Sequence, residues 1–194
     1  MSIDTTTPAT RVRDGVTLPA VGTWAIDPGH AEVGFVGRHF MITKVRGRFT
    51  DVRGEVRFAE DPADSSVTVV IGMGSVESGN ATRDEHLRSA DLFDVAAFPE
   101  ATFTSSRVDW QGSRGIVHGE LTIHGVTREV ALDFRYEGSA RDPWGADRAI
   151  YSAHTVIDRE DFGITWNMAL EAGGLLVSKE IRIEIEVETV RAGA

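Results

Sequence analysis

"SKEIRIEIEVETV", residues 178–190, decides the fold. Ile181, Ile183, Ile185 and Val187 alternate with Arg182, Glu184, Glu186 and Glu188. Successive side chains of a strand point to opposite faces, so the segment reads as a strand with one apolar and one wet face. The charges fix which face is which. Glu and Arg belong in water, so the apolar row points inward. A barrel spanning an outer membrane would show the reverse.

The same period of two spreads outward from this segment. In "TREVALDFRYEG" (127–138), Val130, Leu132, Phe134 and Tyr136 oppose Glu129, Asp133 and Arg135. "DVRGEVRFAE" (51–60) and "SSVTVVIGM" (65–73) repeat it, and "AEVGFVGRHF", "EATFTSSRVDW", "RGIVHGELTIHG" and "RAIYSAHTVID" are further strand-like runs. Gly112 to Gly115, "HGVT" at 124–127, "DPWG" at 142–145 and Gly173-Gly174 separate such runs and read as hairpin turns. About eight strands result, mostly antiparallel. Strands of this length must hide their edges by closing into a barrel or by stacking as a sandwich. "NATRDEHLRSADLFD" (80–94) is the one helical interruption, predicted near 82–93. Asn80 or Thr82 can cap it, and Asp84 and Glu85 suit a first turn. Phe98-Pro99 ends the excursion.

The chain has 194 residues, enough for one domain with a sizeable core. Residues 1–20 are expected to form a mobile N-terminal arm and 21–191 the domain. A net charge of −10 repels phosphate backbones, so no nucleic acid is expected as a partner. The absence of cysteine excludes disulfides and thiolate sites. The first residues carry neither a basic nor an apolar leader pattern, so the expected compartment is the cytoplasm.

Chemistry-bearing residues are scattered. The six histidines lack short metal-ligand spacing, and no metal or cofactor is expected. His39 shares parity with Val33 and Phe35 and should point inward, either as a core histidine or as a ligand contact. No nucleophile elbow exists, and neighbouring Asp84 and Glu85 diverge on a helical turn. Phe35, His39, Phe49, Ile71, Phe103, Leu121, Phe134, Phe162 and Trp166 are the predicted inward residues. A filled core and a cavity wall both want such side chains. Small inward residues, Gly37 and Gly47, favour a cavity.

These segments together resemble the YceI-like family. "GTWAIDPGHAEVGFVGRHF", "VRGRF", "NATRDEHLRSADLFDVAAFPEATFTS", "VHGELTIHGVTREVAL" and "REDFGI" match its motifs in order, from Trp24 to about Val190. Ala31 replaces the usual Ser, and Leu92 the first Phe of F-F-D. The resemblance implies an extended, eight-stranded, lipocalin-like antiparallel barrel holding a long isoprenoid chain. By position it assigns His30, Asn80, Arg83, Asp84, His86 and Asp161 to a polar rim. On physical grounds Arg83 and Asp84 are expected to tie the helix to the rim by charge-assisted hydrogen bonds rather than to contact a ligand head group, while Leu87 and Phe93 cap the interior. About twenty buried carbons at about 0.8 kcal/mol each give about 16 kcal/mol gross. Association removes about half, which still leaves micromolar affinity.

The expected function is non-catalytic binding of a polyprenyl phosphate or isoprenoid quinone. Two alternatives stay open: an enzyme using His86 with Asp84 or Asp161, and a packed structural or partner-binding barrel. A homodimer is an open assembly state. A carrier must meet a membrane to load, yet no amphipathic stretch stands out for that purpose.

Overall fold

In the computed structural model, residues 8–168 and 176–192 are described. Their strands are β1 (Thr10–Arg13), β2 (Val16–Pro19), β3 (Gly22–His39), β4 (Thr43–Phe49), β5 (Val52–Phe58), β6 (Ser66–Gly72), β7 (Val76–Glu77), β8 (Glu100–Gln111), β9 (Arg114–Ile123), β10 (Val126–Arg141), β11 (Asp147–Asp158) and β12 (Glu180–Arg191). One helix, α1 (Ala81–Arg88), stands between β7 and β8, and a 3-10 turn, Arg159–Phe162, follows β11. The order β3-β5-β6-β8-β9-β10-β11-β12 returns to β3, all pairs antiparallel. The sheet therefore closes on itself and has no free edge along that ring.

The deciding segment is β12. It pairs with β11 on one side and β3 on the other, so it closes the barrel. Glu180, Arg182, Glu184 and Glu186 are exposed, as the alternation requires. Ile181, Ile183, Ile185 and Val187 point inward, yet each stays only half-buried, because they face a hollow rather than a filled core.

β3 carries two local devices. Between Ile26 and Ala31 the chain inserts Asp27-Pro28-Gly29-His30 opposite Glu188 alone. This bulge bends the long strand, and Arg148 pins it, bonding Asp27 (2.6 Å), Glu188 (3.1 Å) and Asp142 (3.0 Å). Farther on, β3 leaves β5 and pairs with β4. The β3–β4 turn places Phe40 and Met41 at φ of 53° and 60°, with the Ile42 amide donating to the His39 carbonyl. Two left-handed residues make a type I′ turn, which normally selects Asn-Gly. Bulky L-residues there each cost about 1 kcal/mol. His124-Gly125, with φ of 52° and 71°, makes the same kind of turn between β9 and β10, as the "HGVT" signal predicts.

Two expectations change. Residues 8–20 do not form an arm: β1 and β2 pair as a hairpin, Leu18 and Pro19 are buried, and the Ala9 amide donates to Asp147. Arg11 fastens the hairpin by donating to the Ala59 and Glu60 carbonyls. The Thr- and Pro-rich composition hid this, since long-range bonds rather than local propensity order it. The helix also ends at Arg88, five residues early. Ser89 is extended and its hydroxyl donates to the His86 carbonyl, and the Phe93 and Asp94 amides turn back to Leu87 and Ser89. The Gly173-Gly174 turn lies outside the described residues.

Candidate ligand-binding site

The barrel encloses a cavity of about 460 Å³ with an almost wholly apolar wall. That size falls in the range of small-molecule sites. Along β12 its wall runs from Ile181 to Val187, about 15–20 Å at strand rise. The expected inward residues Phe35, His39, Phe49, Ile71 and Phe103 all lie on this wall, as do Leu121, Phe134, Phe162 and Trp166.

Why the interior stays hollow despite so many aromatic rings is a matter of glycines on neighbouring strands. Phe35 lies over Gly47, where a Cβ would stand 2.3 Å from the ring. Phe134 lies over Gly115 and Phe103 over Gly119, with equivalent gaps of 2.7 and 2.6 Å. A missing Cβ lets each ring lie flat along the wall instead of projecting to the axis. Gly47 thus holds Phe35's ring rather than empty space. Gly37 likewise leaves no empty space, with Ile181 3.2 Å and Ser178 3.7 Å from where a Cβ would be.

One end is stoppered. Trp24, Phe58, Tyr136 and Ala149 form a buried cluster joined by Trp110 and Tyr151. Phe58 meets Trp110 at 6.1 Å and Tyr151 at 6.0 Å between ring centroids. Tyr151 faces the cavity, and its hydroxyl is buried without a partner among the described residues. Burial pushes its pKa well above the ordinary value.

The other end is polar. The Asn80 side chain caps α1 by accepting from the Arg83 amide at 3.0 Å. Arg83 donates to the Ser78 hydroxyl and carbonyl (2.7 and 2.6 Å), and that hydroxyl in turn contacts Asp84. Arg83, His86, Leu87 and Phe93 reach the cavity. Phe93 meets Phe35 and Phe49 at 6.3 and 5.6 Å and so lies against the inner wall at this end. His86 crosses the Trp166 ring at 4.5 Å and faces Asp91 at 3.4 Å. It is not paired with Asp84 or Asp161, so the residues of the enzyme alternative are not brought together. His30 stands exposed on the bulge, bonded to Asp27 at 3.0 Å, and Asp161 is exposed on the 3-10 turn. Neither lines the cavity.

Three further features lie outside the sequence reading. Arg159 is 5% exposed, lines the cavity, and donates to the Ser178 and Ile164 carbonyls. Burial lowers its pKa. It follows the last residue of β11, where alternation stops and parity no longer predicts direction. The second is the Arg148 cluster. Its partners lie far apart in sequence, so no spacing announces it. Arg148 and then His30 hold the Asp27 carboxyl down to about 2. Asp27, His30 and Glu188 are also the one trio with metal-ligand geometry among the described residues, but the Arg148 guanidinium already occupies it as the cation. The third is the apolar β3–β4 turn.

Comparison with known proteins now adds to this geometry. Residues 24–189 match the YceI-like domain. The chain belongs to the YceI-like family. It is 39% identical over 163 residues to Protein YceI of Salmonella newport, covering 84% of this chain and 82% of that one. The Campylobacter jejuni YCEI protein superposes with a TM-score of 0.68 at 30% identity, covering 79% and 89% of the two chains. A polyisoprenoid binding domain from Saccharophagus degradans, implicated in plant cell wall breakdown, superposes at 0.64 and 18% identity, covering 87% and 98%. That last likeness is one of fold. The fold is the family's closed antiparallel barrel.

Proposed function

We propose that this YceI-like protein is a non-catalytic carrier that holds a long isoprenoid chain in the barrel. The single observation that carries the reading is the hollow, apolar interior, stoppered at one end and polar at the other. At about 30 Å³ per water-sized group, 460 Å³ accommodates about fifteen chain carbons. Burying these yields about 12 kcal/mol gross, and half of that supports affinity of tens of micromolar without any catalytic group. The polyisoprenoid ligand named for the Saccharophagus degradans domain supports an isoprenoid over an arbitrary alkane. The separation of His86 from Asp84 and Asp161 supports carrying over catalysis.

Solvent extraction of freshly purified protein, followed by mass spectrometry, tests this. A stoichiometric prenyl lipid is expected. An empty protein that also fails to bind added farnesol refutes the reading.

A further inference from the structure

The cavity has a charge bias that apolar burial does not explain. Its inward ionisable side chains, apart from Tyr151, are His39, Arg83, His86 and Arg159, with no Asp or Glu among them. This occurs in a chain with 30 acidic and 20 basic residues. All four gather at the polar end. Arg159 donates to the Ser178 carbonyl, and the Ser178 amide donates to the Arg38 carbonyl. His39 bridges Val177, and the Asn167 side chain ties that residue to the Trp166 region against His86. Arg83 lies one helical turn from His86.

Arg159 is the sharpest member. Backbone carbonyls take its Nε and Nη1, while Nη2 is buried with no partner among the described residues. No carboxylate there lies within salt-bridge distance of it. Asp158 and Glu160 act on it only from a distance, so a buried guanidinium nitrogen is left without a direct partner, which is costly, and a ligand oxygen would relieve it. Resting on the carrier reading, we infer that Arg159 receives an anionic head group, a phosphate or carboxylate oxygen, while the chain fills the lumen. A neutral head such as a quinone or alcohol would offer the guanidinium a weaker partner than a charged oxygen.

Titration with farnesyl phosphate, farnesol, lauric acid and lauryl alcohol tests the assignment. Wild type is expected to bind each anion at least about tenfold tighter than its alcohol. In Arg159→Gln the ratio falls toward one, and a ratio unchanged in the folded variant overturns the assignment to Arg159. If that variant fails to fold, Arg159→Lys, which keeps the charge, and Arg83→Gln, which should leave the ratio high, separate Arg159 from its basic neighbours. Equal binding of anion and alcohol overturns the anion site and leaves the carrier standing. Binding of none of the four overturns the carrier itself. A preference for farnesyl phosphate alone narrows the head to phosphate.

A separate observation concerns the outside of the same end. The β3–β4 tip exposes Phe40 (49%), Met41 (54%) and Ile42 (78%) in one turn. From Val33 to Thr50 the sequence has no acidic residue and carries Arg38, Lys44, Arg46 and Arg48. Register places Arg38 beside Lys44 and both on the outer, exposed face, with Arg46 two residues on. The inner face of the hairpin, through Phe35, His39 and Val45, is cavity wall. The left-handed backbone of Phe40 and Met41 shows that these side chains are held out against local preference. An apolar wedge ringed by cations, on a chain of net charge −10, complements an anionic lipid surface. We propose that this tip docks on an anionic bilayer, at the rim through which the chain enters.

Flotation with vesicles of phosphatidylcholine, alone or mixed with phosphatidylglycerol, tests the docking. The double substitution Phe40→Asn, Met41→Gly suits the type I′ turn and should keep or raise thermal stability. Binding to mixed vesicles is expected for wild type and should fall about tenfold or more in the variant. Equal flotation of variant and wild type overturns the proposal. So does a wild-type dimer in light scattering that the variant abolishes, with no vesicle binding by either.

Discussion

Ala153→Phe puts a number on the hollow. Ala153 stands mid-wall on β11, opposite Phe134 of β10 and Ile185 of β12, and faces the cavity. Phenylalanine adds about six carbons there. In a space for about fifteen, the ring displaces roughly six chain groups, worth about 5 kcal/mol at about 0.8 kcal/mol each. If the displaced part of the chain keeps half its burial at the mouth, the loss is about 2–3 kcal/mol, or about a hundredfold in affinity. The fold should not suffer equally, because the ring enters a void and overpacks nothing. Isothermal titration with farnesol and a thermal melt measure both quantities. Unchanged affinity in a folded variant would show that the chain does not occupy the lumen. A loss of stability beyond about 3 kcal/mol would mean there is no void to fill.

Three other outcomes follow from the same geometry. Tyr151→Phe removes a buried, unpartnered hydroxyl, so stability should hold or rise by about 1 kcal/mol in a denaturant titration, and a clear drop would reveal a partner. Gly47→Ala places a methyl 2.3 Å from the Phe35 ring, so the ring must tip into the lumen; farnesol affinity should fall several-fold, and a crystal structure with Phe35 unmoved would contradict this. Asp27, held at about 2 chiefly by Arg148, lies below its unfolded value of about 3.9, so its stabilisation is complete above about pH 4 and vanishes as pH falls toward 2. The lost amount is about 2 kcal/mol, and Asp27→Asn should be less stable than wild type at pH 7 but converge with it near pH 2 in urea titrations.

Alternation made the barrel legible because each wall residue has one wet and one dry choice. β12 and β10 show it most plainly. The nine inward residues were readable for the same reason, but the hollow was not. Whether a Phe fills space or lies against a wall depends on its cross-strand neighbour, and Phe35 over Gly47 is a register fact. Arg159 and Arg148 were silent for different reasons. Arg159 sits in a 3-10 turn where no period applies. Arg148 acts through partners 121 and 40 residues away. The β3–β4 tip was open to view as "RHFMITKVRGR", yet strand parity drew attention to its inner face alone.

The two ends of the cavity impose a direction. At the aromatic floor the Tyr151 hydroxyl is the one polar group without a partner among the described residues, so an anionic head buried there would lose its water and gain almost nothing. At the mouth Arg159 and its basic neighbours provide the missing counter-charge. A long-chain ligand carried as proposed would therefore enter tail first, leaving the head at the rim. Tail-first entry through water would expose about fifteen carbons, about 12 kcal/mol of apolar surface, before any wall contact forms. A rim seated in a bilayer removes that intermediate, since the tail passes from one apolar medium to another while the head stays at the interface. This explains why the apolar turn and the basic mouth occupy the same end. A wedge at the stoppered end would touch the membrane and carry nothing.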